Sequence, residues 1–145
     1  MTEAGGPTSP AGKRRAEILG ERAERVREAV ELLDAALAEW SDDFIFGSVW
    51  AVSPDISTEE QTLIVIGMLA AQGHIRQMRA YLFGALQQGI PPAKIQAALR
   101  LLTVYTGFPR AVMAMHEWSE VQEAARRNGY LGPEAGRNSE HVRPD

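Results

Sequence analysis

Three polar side chains recur at helical spacing in the middle of the sequence: His74, Gln77 and Tyr81. Residues at positions i, i+3 and i+7 of an α-helix share one face. A neutral imidazole, an amide and a phenol can donate and accept hydrogen bonds without carrying net charge. The pattern indicates a pocket wall that binds a carbonyl or hydroxyl group and supplies one proton donor or acceptor. The alternative is a surface or interface stripe whose polar tips meet water or a neighbouring subunit.

Further residues are candidates for the same pocket. Gln61 lies in an otherwise apolar segment, where a buried amide needs a partner, so it is a pocket residue or bonds to nearby backbone. Arg79 could bind a carboxylate or stay solvated, and His116 is either functional or a structural histidine. An apolar lining for an unsaturated ring, or plain core, would come from Phe46, Trp50, Tyr105 and Phe108. The three histidines are too scattered to predict a metal site, and no motif for an organic cofactor is found.

The elements that must position these residues are predicted to be helical throughout. Ser57 and Glu60 have the spacing of a capping box, which opens a helix that Gly73 interrupts. The Pro91-Pro92 pair starts a later helix. No segment alternates with period two for long enough to predict a strand. We therefore predict an all-α fold, a compact bundle of five or six helices.

The organisation along the chain is predicted to be one domain with two tails. Residues 13–130 form the helical domain, and the Gly- and Pro-containing ends, residues 1–12 and 131–145, are predicted to be flexible. One long helix is predicted near the start of the chain. It packs across its own domain or across a sister subunit, or it forms a coiled coil. Its apolar seam repeats at intervals of four and three residues: Leu19, Ala23, Val26, Val30, Leu33, Leu37 and Trp40. The charged residues on its other faces are predicted to be solvated: Glu17, Glu21, Arg22, Arg25, Arg27 and Glu28.

Composition excludes several classes of function. Fifteen basic and nineteen acidic residues give a net charge of −4, which argues against nucleic-acid binding. The absence of cysteine excludes disulfides, thiolate metal sites and thiol nucleophiles. The longest apolar stretch, Leu63 to Ala71, is about half the length that a membrane helix requires. We predict a cytoplasmic protein that binds neither nucleic acid nor membrane.

The order and spacing of several segments resemble the carboxymuconolactone decarboxylase family. The likeness covers residues 30 to 125 and is carried by Phe46–Ala51, Asp55–Glu60, Leu69–Gly73, Arg79–Leu86, Gln88–Pro91 and Val104–Ala111. The last of these resembles the family's Y-x-G-x-P-x-A element. The resemblance implies an all-α fold shared with alkylhydroperoxidase D, assembled as a homo-oligomer, either a trimer or a hexamer.

The resemblance also implies which positions would do chemistry. The peroxidase branch carries two cysteines where His74 and Gln77 stand, a His at Tyr81 and a Glu at Gln61; without cysteine, peroxidase activity is excluded. The decarboxylase branch, which uses neither metal nor organic cofactor, usually carries a Glu at Gln77, a His at Tyr81 and an Arg near Gln61. In this sequence the charged groups are replaced by amides and a phenol.

Two functions are compatible with these residues. The first is a cofactor-free enzyme of the lyase or isomerase/cyclase type that acts on a small unsaturated, carbonyl-containing and cyclic organic molecule. Tyr81 and Gln77 would stabilise the enolate, His74 would move the proton, and Gln61 would complete the catalytic set. The alternative is a non-catalytic helical oligomer that binds a small molecule or a protein partner.

Overall fold

The computed structural model describes residues 5–131, and every regular element in that range is helical. Two short non-α segments interrupt the order, a 3-10 turn at Gly20–Arg22 and a π-helix at Ser41–Val49. The α-helices are α1 (Pro10–Leu19), α2 (Ala23–Leu33), α3 (Ala35–Trp40), α4 (Thr58–Gln72), α5 (Ile75–Gln87), α6 (Pro92–Arg100), α7 (Leu102–Tyr105) and α8 (Phe108–Arg127). Six of these helices in the described range have nine or more residues, so the predicted all-α bundle is confirmed.

Local signals in the sequence determine where the central helices begin and end. The Ser57 hydroxyl accepts from the Glu60 amide at 3.1 Å, and the Glu60 carboxylate accepts from the Ser57 amide at 2.8 Å. This reciprocal pair is the predicted capping box at the start of α4. Gly73 ends α4 with a φ of 78°, a left-handed conformation that glycine adopts without a steric penalty. The predicted start of α6 at the Pro91-Pro92 pair is also confirmed.

The predicted single long helix from Leu19 to Trp40 is wrong, because the chain breaks twice within it. Gly20 adopts φ 61° and ψ −139°, which ends α1. Asp34 is extended, at φ −164° and ψ 122°, and its carboxylate accepts from the Leu37 amide at 3.1 Å. Its side chain therefore caps α3, a role that aspartate favours over the interior of a helix.

The core has two apolar clusters that share one side chain. The larger is formed by α4, α5, α6 and α8 and includes Phe83 and Trp118. The smaller lies between α1 and the π-helix and includes Ile18 and Phe46. Tyr81 of α5 packs against both clusters. Its position thus connects the helix pair α4–α5 with the N-terminal helices.

The first helix packs unusually closely on α5. A Cβ added at Gly84 would lie 2.0 Å from the carbonyl oxygen of Ile18, so only glycine permits this approach. The Gln88 amide adds a bond by donating to the same Ile18 oxygen at 3.0 Å. Helix α1 is therefore an integral layer of the fold, and it begins at Pro10, where Ser9 caps it.

A buried ionic network holds the π-helix against α1 and α2. Asp42 accepts hydrogen bonds from Arg15 of α1 and from Arg27 of α2, the latter at 2.8 Å. The Asp42 and Arg15 side chains are each about 1% exposed. Arg15 also pairs with Glu24 at 2.8 Å. Burial of these charges is tolerated because each has an oppositely charged partner.

Two further predictions concern the two tails of the chain and the absence of membrane binding. Of the predicted tails, residues 1–4 and 132–145 lie outside the described residues. No helix within residues 5–131 is both long enough and apolar enough to cross a membrane.

Candidate functional site

A buried arginine on α1 connects three elements of the fold. Arg14 is 8% exposed, and its Nε donates to the backbone carbonyl of Trp50, just after the π-helix. Its Nη2 donates to the side-chain oxygen of Gln61 on α4 at 3.0 Å. Its Nη1 donates to Glu17, one turn further along α1, at 2.8 Å. These three bonds place a positive charge between the N-terminal layer and the central helices.

Tyr81 packs against Trp50, one of the three partners of Arg14. The Tyr81 and Trp50 rings stack with centroids 5.9 Å apart and planes inclined by 14°. Burial raises the pKa of Tyr81 above its ordinary value, because the ionised phenolate is poorly solvated there. The hydroxyl has no hydrogen-bond partner among residues 5–131. At neutral pH it is therefore a protonated donor that is available to a ligand.

We call Arg14, Trp50, Gln61 and Tyr81 the Arg14 cluster. It combines a guanidinium, an amide and a neutral phenol next to an indole ring. Donors arranged in this way stabilise negative charge that develops on an oxygen atom. Polar side chains close to apolar rings also suit a small unsaturated carbonyl compound. Of the predicted site residues, the structure thus links Trp50 and Gln61 through Arg14 and stacks Tyr81 on Trp50.

The other two predicted polar positions lie at the beginning of α5 and on its surface. His74 is the residue just before the helix, and Gln77 is in its first turn. Both residues are exposed, and neither side chain makes a hydrogen bond within residues 5–131. His74 precedes Tyr81 by two helical turns, a separation of about 10 Å along the axis. His74 and Tyr81 therefore lie at different levels along the axis of α5.

The predicted aromatic lining is distributed over separate places. Phe46 is 5% exposed in the smaller core cluster, where the Arg15 guanidinium lies 5.9 Å from its ring centroid. Tyr105 lines an open groove of about 430 Å³ between α4, α6 and α7. Phe108 and His116 line another groove of about 400 Å³ along α8. Phe46 and Trp50 thus share the smaller core cluster, whereas Tyr105 and Phe108 line separate grooves, and the four aromatic residues do not form one wall in a single chain.

The remaining predicted binding residue is already paired. Arg79 donates from Nη1 to Glu117 of α8 at 2.5 Å, so its charge is offset by a carboxylate of the same chain. Its guanidinium also lies 5.6 Å from the centroid of the Phe83 ring. These contacts connect α5 with α8 and give Arg79 a structural role in the described part of the chain.

Sequence reasoning missed Arg14, the residue that organises the cluster. A signal was present in the spacing, because Arg14 and Arg15 precede Ile18 and Leu19 by four residues each and so share their helix face. Part of the charged face that was predicted to be solvated is also partly buried. Arg22 lies over the Phe83 ring at 3.7 Å, and Arg27 bonds to buried Asp42.

No set of three or more His, Asp or Glu side chains in residues 5–131 is arranged to hold a metal ion. The predicted absence of a metal site and of a cofactor stays a prediction.

Comparison with known proteins places the fold and its central helices in a family. A model of the carboxymuconolactone decarboxylase family matches residues 35–120, from the beginning of α3 into α8. A search of curated proteins finds no match to the chain. Helices α1 and α2 precede the matched range, so Arg14 lies outside it while Trp50, Gln61 and Tyr81 lie inside. The matched range is more than half of the chain, and the protein belongs to the carboxymuconolactone decarboxylase family.

Proposed function

We propose that this protein is a cofactor-independent enzyme of the lyase or isomerase/cyclase type, acting on a small, unsaturated, cyclic carbonyl compound at the Arg14 cluster. The observation that carries the proposal is that Arg14 bonds both to Gln61 and to the carbonyl of Trp50, on whose ring Tyr81 stacks. Family resemblance implies an arginine near Gln61. In this chain α1 supplies such a guanidinium from outside the family-matched range.

The chemistry of the cluster suits a reaction that passes through an enolate. In a decarboxylation, the bond between carbon and the carboxyl group breaks, and its electron pair moves into the conjugated carbonyl. In an isomerisation, loss of a proton from carbon leaves the same type of anion. Tyr81 would donate to the developing oxyanion, and Arg14 would offset its charge. A proton returned to carbon completes either reaction.

The proton carrier is a separate question, for which His74 is our candidate. An imidazole has one nitrogen that can donate a proton and one that can accept a proton, which suits general acid or base catalysis. Because His74 lies about two helical turns from Tyr81, it would act on a different end of the substrate. Gln77 lies between His74 and Tyr81 in the sequence, and its side chain is exposed. It could orient the end of the substrate on which His74 acts.

A turnover screen tests the proposal. Purified protein is incubated, with a chelator and no added cofactor, with cyclic enones, unsaturated lactones and their carboxylic acids. Ultraviolet absorbance reports loss of conjugation, and released carbon dioxide and NMR spectra identify the reaction. We expect turnover of at least one compound. Arg14→Met should lower it about 10²–10³-fold, the usual effect of removing one oxyanion donor.

A matched variant controls for the loss of a positive charge. Arg25 is exposed on α2 and makes no side-chain hydrogen bond within residues 5–131. Arg25→Met should keep wild-type turnover, and Arg14→Lys should keep part of it because the charge remains. The proposal fails if no compound is turned over, or if folded Arg14→Met is as active as the wild type.

A second candidate is a non-catalytic helical oligomer that binds a small molecule or a protein partner. It is supported by the apolar side chains that α2, α3 and the π-helix expose: Leu32, Leu33, Leu37, Trp40, Phe44, Ile45 and Val49. Leu33 is 83% exposed and Trp40 is 62% exposed. Apolar surface of this extent is typical of interfaces between subunits.

Both candidates involve a homo-oligomer, and we propose a trimer or a hexamer. Light scattering at micromolar concentration should give a small multiple of 15.9 kDa. A monomer would contradict the assembly, and an oligomer without any turnover or ligand-induced rise in melting temperature would favour the scaffold.

A further inference from the structure

The ion pair between Arg14 and Glu17 differs from the ion pair between Arg15 and Asp42. Arg15, the next residue, is committed to Asp42, and both side chains are about 1% exposed. The Glu17 side chain, in contrast, is 60% exposed, whereas the Arg14 side chain is 9% exposed. The anionic partner of Arg14 is therefore held at the surface, where exposed ion pairs contribute little to stability.

Arg14 also has N–H groups without a hydrogen-bond partner within residues 5–131. A guanidinium has five N–H groups, and three of them have partners among residues 5–131: the Trp50 carbonyl, Gln61 and Glu17. The bonds to Trp50 and Gln61 fix the plane of the guanidinium. The Nη1 end of the guanidinium faces Glu17. A different carboxylate could replace the Glu17 carboxylate there while Arg14 keeps its bonds to Trp50 and Gln61.

We propose that Arg14 binds a carboxylate group of the ligand, and that Glu17 occupies this position in the free protein. This inference rests on the proposed function, because it assigns the ligand to the Arg14 cluster. Two parallel bonds between a guanidinium and a carboxylate give both charge neutralisation and orientation. Helix α1, which precedes the family-matched range, thus determines which ligands the site accepts.

Glu17 is an internal competitor in this arrangement. A ligand carboxylate must displace the Glu17 carboxylate from Nη1, which weakens binding by the free energy of one exposed ion pair. Neutral ligands bring no carboxylate to Nη1 and so meet no such competition. Removal of the Glu17 charge should therefore tighten the binding of acids and leave the binding of the corresponding esters unchanged.

Calorimetric titration of carboxylate and ester pairs tests this inference. The probes are sorbate, cinnamate and cyclohexene-1-carboxylate, each compared with its methyl ester. The proteins are wild type, Glu17→Gln, Arg14→Met and the charge-matched control Glu28→Gln, whose side chain is exposed on α2 and unpaired within residues 5–131. Melting temperatures establish that each variant is folded.

We expect at least one acid to bind Glu17→Gln about two- to fivefold more tightly than it binds wild type. The same acid should bind Glu28→Gln as it binds wild type, and Arg14→Met at least tenfold more weakly. The inference is overturned if no acid binds Glu17→Gln, if Glu17→Gln and Glu28→Gln behave alike, or if folded Arg14→Met binds acids normally.

The result of this titration can be distinguished from the result of the turnover screen that tests the proposed function. Acids that bind through Arg14 and are never converted would contradict the enzyme while supporting the carboxylate site. Turnover that depends on Tyr81, together with acids that bind wild type and Glu17→Gln equally well, would support the enzyme and contradict the carboxylate site.

Discussion

The guanidinium of Arg14 donates to the side-chain oxygen of Gln61 across 3.0 Å and joins α1 to α4. The residues are separated by 47 positions in sequence, and only one of them lies in the family-matched range. The bond makes Gln61, an uncharged residue within the family-matched range, part of a charged site.

Tyr81→Phe tests whether the phenol acts on the substrate. The substitution removes one hydroxyl and keeps the ring on Trp50, so the fold and the melting temperature should be nearly unchanged. If that hydroxyl donates to the oxyanion, kcat should fall about 10–10³-fold with a smaller effect on KM. Steady-state rates on the compound found in the turnover screen measure this. Equal kcat values for wild type and Tyr81→Phe would remove Tyr81 from the mechanism.

His74→Ala tests the proposed proton carrier at the exposed beginning of α5. General acid or base catalysis contributes about 10²–10⁴-fold, so turnover should fall by that order in a protein of normal stability. His116→Ala is the matched control, because His116 lies on α8 beside a different groove. If both variants retain full turnover, the proton is moved by another group or by water.

The ionisation of Tyr81 should be displaced to high pH. Burial raises its pKa above about 10, the ordinary tyrosine value. Because the folded state holds this proton more tightly than the unfolded state, the phenol's contribution to stability is complete below about pH 10. That contribution is lost as the pH rises through the raised pKa. The ultraviolet phenolate titration of wild type minus that of Tyr81→Phe gives the Tyr81 curve, and a midpoint at or below 10 would disagree with this prediction.

Asp42→Asn tests the buried network that holds the π-helix. Within residues 5–131, the substitution leaves buried Arg15 with Glu24 as its one anionic partner, and it removes the partner of Arg27 Nε. Loss of one member of a buried ion pair typically costs about 3–5 kcal/mol of unfolding free energy. Asp43→Asn, a change at an exposed neighbouring residue, should cost less than about 0.5 kcal/mol. Urea unfolding measures both, and similar midpoints would show that the network is not stabilising.

Gly84→Ala tests the close packing of α1 on α5. The added methyl group would meet the Ile18 carbonyl oxygen at 2.0 Å, so the helices must separate, at a cost of about 1–3 kcal/mol. Gly67→Ala in α4 is the control, because its Cβ would meet no atom within 4 Å. It should stabilise the helix by up to about 1 kcal/mol. Thermal unfolding distinguishes them, and an unchanged midpoint for Gly84→Ala would contradict the observed packing.

The sequence was sufficient for features that depend on neighbouring residues. The capping box at Ser57 and the left-handed glycine at residue 73 are local, because their partners lie within a few positions. The break at Asp34 was missed, because the regular apolar seam from Leu19 to Trp40 favoured one continuous helix. A single capping aspartate and the glycine at residue 20 outweighed that periodicity.

The site could be predicted only in part, for a related reason. Gln61, Trp50 and Tyr81 were found through their aligned positions or residue types. Arg14 was missed because charged residues are rarely buried, and its burial depends on partners 36 and 47 residues away. Pairing over such distances is a property of the packed helices and leaves no mark on the local sequence. The same argument applies to Arg15 and Asp42.

The central claim is that Arg14 and Tyr81 contact the reacting oxygen of the substrate. It is tested most directly by a crystal structure of the protein with the panel compound that raises its melting temperature most. We predict a ligand oxygen within about 2.5–3.2 Å of the Tyr81 hydroxyl and of an Arg14 nitrogen. A ligand bound instead in the groove lined by Leu63 and Tyr105, with Arg14 still on Glu17 and the Tyr81 hydroxyl uncontacted, would contradict the account.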